Sequence, residues 1–184
     1  MILRSSRSIA GLGLLAALAG APLHAATEAA LQVKLKAAIV SKLPQFVQWP
    51  PPTLAGRRTV DICVAAPNPF GADLQELVDG ESLEGRALAV RDLDRESDLA
   101  GCALLYVPGG TLSNRRALLH KAQAEPILTI SDDPAFLDEG GIVRLGVVDG
   151  RMRFDIDASA ARRVGLRISS QLLQLAASVR GGQS

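Results

Sequence analysis

Three short, continuous apolar runs constrain the fold most. Val60, Ile62 to Ala65, Ala103 to Val107 and Ile127 to Ile130 are each only long enough for a strand, and each stops at turn chemistry: Pro67, Pro108 with Gly109 and Gly110, and Ser131 with Asp132 and Asp133. Strands without polar alternation are strands buried on both faces. Between them lie segments of helical period, through Leu74, Leu77 and Val78 and over Leu112 to Ala122, with a further strand near Ala87 to Val90 and a polar turn from Asp94 to Asp98. Alternation of this kind predicts an α/β domain: a mainly parallel sheet with helices on both faces.

The two ends of this pattern read differently. Leu31, Leu35, Ala38, Ile39, Leu43, Phe46 and Val47 recur at steps of three and four, one face of an opening helix that Pro44 should kink or end. Trp49 and Pro50 to Pro52 follow as an extended linker. Near the other end, Ile142 to Val148 and Arg151 to Asp157 flank Asp149-Gly150, the favoured pair for a two-residue hairpin turn. Met152, Phe154 and Ile156 alternate with charged residues, so one face of that hairpin is expected to be buried. Asp157 is a good N-cap for a long last helix carrying Ala161, Val164, Ile168, Leu172, Leu175 and Val179 on one face. The opposite stripe holds Arg163, Arg167, Ser170 and Gln174, a candidate partner face or simply the solvated side of an amphipathic helix.

The first residues belong to another class of signal. Arg4 and Arg7 precede an uncharged Ala/Leu/Gly stretch from Ile9 to Leu23, and small residues follow at Ala25 and Ala26. This is the plan of a secretory leader over residues 1–25, with cleavage near Ala25 or Ala26. The apolar run falls short of the roughly 20 residues that span a bilayer. The domain is then expected over 27–180. Losing Arg4 and Arg7 leaves 18 basic against 19 acidic residues, a net charge of −1. A near-neutral surface has no electrostatic footprint for nucleic acid or anionic lipid.

Catalytic chemistry finds little support. His24 falls within the leader, which leaves His120 alone on a helix with no GxSxG elbow for a triad. Pro108-Gly109-Gly110-Thr111 precedes a helix and offers backbone donors, but it lacks either phosphate-binding glycine pattern. Ser131, Asp132 and Asp133 lack the spacing of a calcium loop, and capping a short helix accounts for the two aspartates. No catalytic group, cofactor site or metal site is therefore assigned. Ligands of open parallel sheets bind beyond the carboxyl ends of the strands. Asn68, Phe70 and Gly71, Pro108 to Thr111, and Ser131 with Asp132 fall there, and these are the candidate ligand or partner loops. Cys63 and Cys102, 39 residues apart, fit no CxxC motif; in an exported chain they form either a bridge or two buried thiols.

Four blocks together resemble the YfiR family of periplasmic regulators over about 150 residues. They are Leu35-Lys36-Ala37-Ala38 through Phe46-Val47-Gln48-Trp49-Pro50, Ile62-Cys63-Val64 with Asn68-Pro69-Phe70-Gly71, and Leu128-Thr129-Ile130-Ser131-Asp132 with Phe136 and Gly140-Gly141-Ile142. The fourth and most specific is Arg153-Phe154-Asp155-Ile156 with Ala160-Ala161-Arg162, Gly165-Leu166 and Ile168-Ser169-Ser170-Gln171-Leu172-Leu173. The resemblance implies an exported, non-enzymatic domain that holds an inner-membrane diguanylate cyclase inactive through its periplasmic sensor region, lowering cyclic-di-GMP and with it biofilm formation. It also favours a Cys63–Cys102 bridge, since both positions match a cysteine pair of the family, while a second pair around the hairpin is absent here. A second reading, from another class, is a sensor domain that captures a small molecule at the strand-end loops. A homodimer is the base-rate assembly.

Overall fold

The structure is a computed structural model that describes residues 21–94, 98–110 and 112–182. Nearly all of the expected leader, residues 1–20, lies outside that set, as does Thr111; residues 21–25 form the first turn of a helix.

The elements run in order as α1 (Ala21–Lys42), a 3₁₀ turn (Leu43–Phe46), β1 (Val47–Gln48), α2 (Pro51–Leu54), β2 (Thr59–Ala65), α3 (Asp73–Val78), β3 (Ser82–Leu83) and β4 (Arg86–Leu93). Then come β5 (Cys102–Val107), α4 (Leu112–Ala122), β6 (Leu128–Ser131), β7 (Val143–Val148), β8 (Arg151–Asp157), α5 (Ala158–Arg163), β9 (Arg167–Ile168), α6 (Ser170–Leu175) and β10 (Ser178–Arg180). Eight strands form one sheet in the order β10-β8-β7-β6-β5-β2-β4-β3. The five central strands, β4-β2-β5-β6-β7, are all parallel. Numbered by themselves they have the order 2-1-3-4-5, the doubly wound arrangement whose direction of winding reverses between β2 and β5. The antiparallel pairs β3–β4 and β7–β8 and the parallel pair β10–β8 extend it on both sides, so the sheet is mixed and mostly parallel.

Alternate strand residues feed two apolar layers. On one face Ile62, Val64, Leu104, Tyr106, Leu128, Ile130, Leu145 and Ile156 pack with Ala37 and Val40 of α1 and Leu74 and Val78 of α3. On the other, Cys63, Leu105, Val107 and Ile127 pack with Leu119 and Ala122 of α4 and with Phe136 and Leu137. Helices therefore cover both faces, and the bulk of the core is aliphatic.

Local chemistry explains most boundaries. Helix α1 stops at Lys42, two residues before Pro44, and the chain tightens into the 3₁₀ turn that a proline near its start permits. Pro51 and Pro52 do not form an extended linker as expected. They open the single turn of α2, where a missing N–H costs nothing. Asp149 and Gly150 both have positive φ, 50° and 70°, as a type I′ turn requires.

The long last helix does not exist. Asp157 caps α5 as expected, accepting the Ala160 N–H at 2.8 Å, but α5 ends at Arg163. Gly165 adopts φ +80°, with Leu166 N–H donating to Ala161 O and Gly165 N–H to Arg162 O. This is a Schellman stop. The chain then adds β9 against β1, is recapped by Ser169, forms the short α6, and returns to the main sheet as β10.

Candidate functional site

The three strand-end loops converge where the winding reverses. After β2, Asn68 makes an Asx turn, its Oδ1 accepting the Phe70 N–H at 2.8 Å, while its Nδ2 donates to Asp92 Oδ1 at 2.7 Å beside the end of β4. That turn drives Phe70 inward. Its ring is 3% exposed and meets Tyr106 edge to face, with centroids 4.6 Å apart. Phe70 is therefore a floor for the site and not a surface for a partner.

Asp132 is the centre of this rim. Its Oδ1 accepts the Gly109 N–H at 2.7 Å and its Oδ2 accepts from Lys36 Nζ at 2.5 Å, a bond that reaches across from α1. A side chain at Gly109 would crowd this contact, since a Cβ there would sit 3.1 Å from Asp132 Oδ1. Burial alone would raise the Asp132 carboxyl. The Lys36 ammonium and the Gly109 amide outweigh it and hold the group below its ordinary range. Beneath lies Tyr106, fully buried, its hydroxyl without a hydrogen-bond partner among the described residues. Burial, and then the negative charge of Asp132, push its phenol far above the usual value, so it stays protonated.

Ser131 and Asp133 are used locally. Ser131 Oγ accepts the Asp133 N–H, Asp133 Oδ1 accepts the Ala135 N–H, and Asp133 Oδ2 binds Arg115 Nη1 at 2.6 Å. Arg115, 2% exposed, also forks onto Glu139 at 2.7 and 3.0 Å, which locks α4 to the loop after β6. Arg115 comes first among the causes that hold the Glu139 carboxyl below its ordinary value. The rim is thus closed by its own side chains. Among the described residues it contains no nucleophile paired with a base, and no group of His, Cys, Asp or Glu is placed to hold a metal ion.

On the α4 face, Cys63 and Cys102 are joined by a disulfide, with Cα atoms 5.7 Å apart. Arg91 Nη2 lies 3.1 Å from Cys102 Sγ and 3.4 Å from Cys63 Sγ. The residues expected on one helical stripe are split among three elements: Arg163 ends α5, Arg167 lies in β9 opposite Gln48, and Ser170 and Gln174 share α6. All four are exposed. Lys36, Tyr106, Arg115 and Glu139 had no sequence signal as site residues, because a single charge on a helix says nothing about a carboxylate 96 or 24 residues away.

The fold, the bridge and the catalytically bare rim coincide with a match to the family model described as YfiR/HmsC-like over residues 33–177. This chain belongs to the YfiR/HmsC-like family. Members of the family are non-catalytic periplasmic regulators with a role in cyclic-di-GMP signalling, and they typically act with membrane sensor partners. The matched span runs from within α1 to the residue before β10, so it takes in both the strand-end rim and the divided C-terminal segment. No curated protein matches the chain. A solved structure described as a conserved domain protein from Vibrio cholerae O1 biovar El Tor is similar at 12% identity with a TM-score of 0.49. That likeness covers 80% of this chain, which spans 60% of the other. Among the described residues no helix is long and apolar enough to cross a membrane.

Proposed function

We propose that this protein is exported, loses residues 1–25, and represses an inner-membrane diguanylate cyclase by binding the cyclase's periplasmic sensor region. The observation that carries the reading is the YfiR/HmsC-like match across four-fifths of the chain, residues 33–177. A repressor of this kind needs a stable, complementary surface and no catalytic group, and the rim supplies none. Arg163, Arg167, Ser170 and Gln174, exposed on three adjoining C-terminal elements, are the residues we assign to the partner face. Three short elements held by caps and a two-strand pairing with β1 present these groups more rigidly than a frayed terminal helix would.

Deleting the gene in a strain that retains its cyclase should raise cyclic-di-GMP, measured by mass spectrometry of nucleotide extracts. Affinity capture from solubilised membranes should recover a protein with a cyclase domain. Unchanged nucleotide levels together with no cyclase in the capture would refute the reading.

A further inference from the structure

A cavity of about 180 Å³ lies at the other end of the sheet from the strand-end rim, beside the amino-terminal ends of β6 and β7 and between α4 and α5. Ile127, Ile142, Ala160 and Val164 give it apolar walls. Three polar groups border it, from β6, from the residue after α4 and from the end of α5. Thr129, 4% exposed, accepts the Ile142 N–H at Oγ1, which leaves its hydroxyl proton for a further acceptor. The Gln123 amide lies over Gly140, where a Cβ would come within 2.6 Å of Nε2; with φ +92° at that residue, glycine is what admits the amide. The third is Arg163.

Arg163 makes no ion pair within 4 Å among the described residues, a property it shares with Arg162 beside it. Arg115, Arg116, Arg144 and Arg180 each hold a carboxylate. Among the described residues Arg163 donates to one group, the neutral Ser159 Oγ, at 3.1 Å; Ser159 in turn donates to Asp157, which caps α5 and whose carboxyl the nearby Arg163 charge helps hold low against burial. Its Nε and Nη2 have no hydrogen-bond partner among the described residues, at the lip of a cavity whose walls are part apolar and part polar.

We propose that this cavity binds a small monocarboxylate with a short, branched apolar body. The carboxylate sits on the Arg163 fork and the body lies among Ile127, Ile142 and Val164. One guanidinium without a second cation matches a single negative charge, and its planar donors fit a carboxylate edge. The volume suits an acid of a few carbons and is small for a nucleotide.

The test uses the purified, disulfide-bonded protein and sodium isovalerate as the probe, titrated by amide NMR beside isovaleramide, its uncharged equivalent. Isovalerate should give saturable shifts at Gln123, Gly140 and Ala160 to Val164, with a dissociation constant on the order of 1 mM or tighter. The amide, and isovalerate on Arg163→Gln, should bind at least about tenfold more weakly, with Arg163→Lys in between. Arg163 is exposed, so these variants keep the fold. No saturable shift at those residues in the natural protein, equal binding of acid and amide, or an unaffected Arg163→Gln would each overturn the proposal. The measurement involves no cyclase, so its failure leaves the repressor reading intact.

Discussion

Replacing Arg115 by Met removes the cation that two carboxylates share while keeping most of the side-chain volume. Arg115 is 2% exposed, and its partners Glu139 and Asp133 have side chains 9% and 18% exposed, so none of the three is well solvated. Breaking one partner out of a buried ion pair costs about 3–5 kcal/mol, because the remaining charge is left buried. Two features place this site near the lower figure. Arg116 still reaches Glu139 at 3.3 Å, and Asp133 keeps the Ala135 N–H. The expected loss is about 3 kcal/mol, or roughly 1.5 M in the urea midpoint at a slope near 2 kcal/mol/M. Urea unfolding of the oxidised protein, followed by circular dichroism at pH 7, measures it directly. The sign of the pH dependence follows from Glu139. Its folded carboxyl is held below the ordinary value of 4.5, so the stabilisation is present above that value and is lost as pH falls through the folded one. The difference between natural protein and variant should therefore shrink at pH 3. A loss under about 0.5 kcal/mol at pH 7, the level of an ordinary surface substitution, would refute the assignment of Arg115 as a buried clamp. So would a large loss that is unchanged by acid.

The Cys63–Cys102 bridge closes a loop of 39 residues in sequence separation, and Cys63→Ser with Cys102→Ser should lower stability by up to about 4 kcal/mol in the chain-entropy account. Intact-mass analysis of the exported protein after alkylation should find no free thiol. Gly165→Ala places a Cβ at φ +80° and 3.0 Å from Pro50 Cγ, and should lower stability by about 1–2 kcal/mol, seen as a reduced melting temperature. Acid should destabilise the natural protein as a whole. Asp132, Asp155 and Asp157 are all held low against the opposing effect of burial, Asp155 by the Ser178 hydroxyl and Arg144, and Asp157 by Ser159 and the Ala160 amide. Their stabilisation is present above about pH 4 and lost as pH falls through the folded values, so urea midpoints should drop between pH 5 and pH 3.

The central sheet was legible because its signals are short-range. Continuous apolar runs mark strands covered on both sides, Asp149-Gly150 supplies the left-handed pair of the hairpin, and the 3.6 period over Leu112 to Ala122 marks α4 at its true limits. The C-terminal segment misled for a reason of the same kind. Ala161, Val164, Ile168, Leu172 and Leu175 keep helical spacing, yet Gly165 and Ser169 bring a stop and a new cap into the middle of it. Those local hydrogen bonds, together with pairing to β1, outcompete a continuous helix. For the site, the position of the strand-end loops follows from the topology of parallel sheets, but their closure by Lys36 does not. Arg163 was singled out for a helical stripe that is not there, and the fold places it instead at the lip of the cavity.

The three residues of β10 have a consequence for how the protein behaves in solution. Without them β8 would be the outer strand of the sheet, an open row of amide and carbonyl groups on which a second molecule's strand could assemble. Ser178, Val179 and Arg180 occupy that row along Asp155 to Asp157. Arg151 and Arg153, exposed on the uncovered part of β8, set positive charge against any chain that approaches the remainder. Arg180 fastens the strap to Asp138 and Arg162 to the Gly181 carbonyl. A chain trimmed after Ala177 would keep its apolar core but expose β8 along Asp155 to Asp157 to edge-to-edge stacking, so Ser178 to Arg180 guard this edge of the sheet.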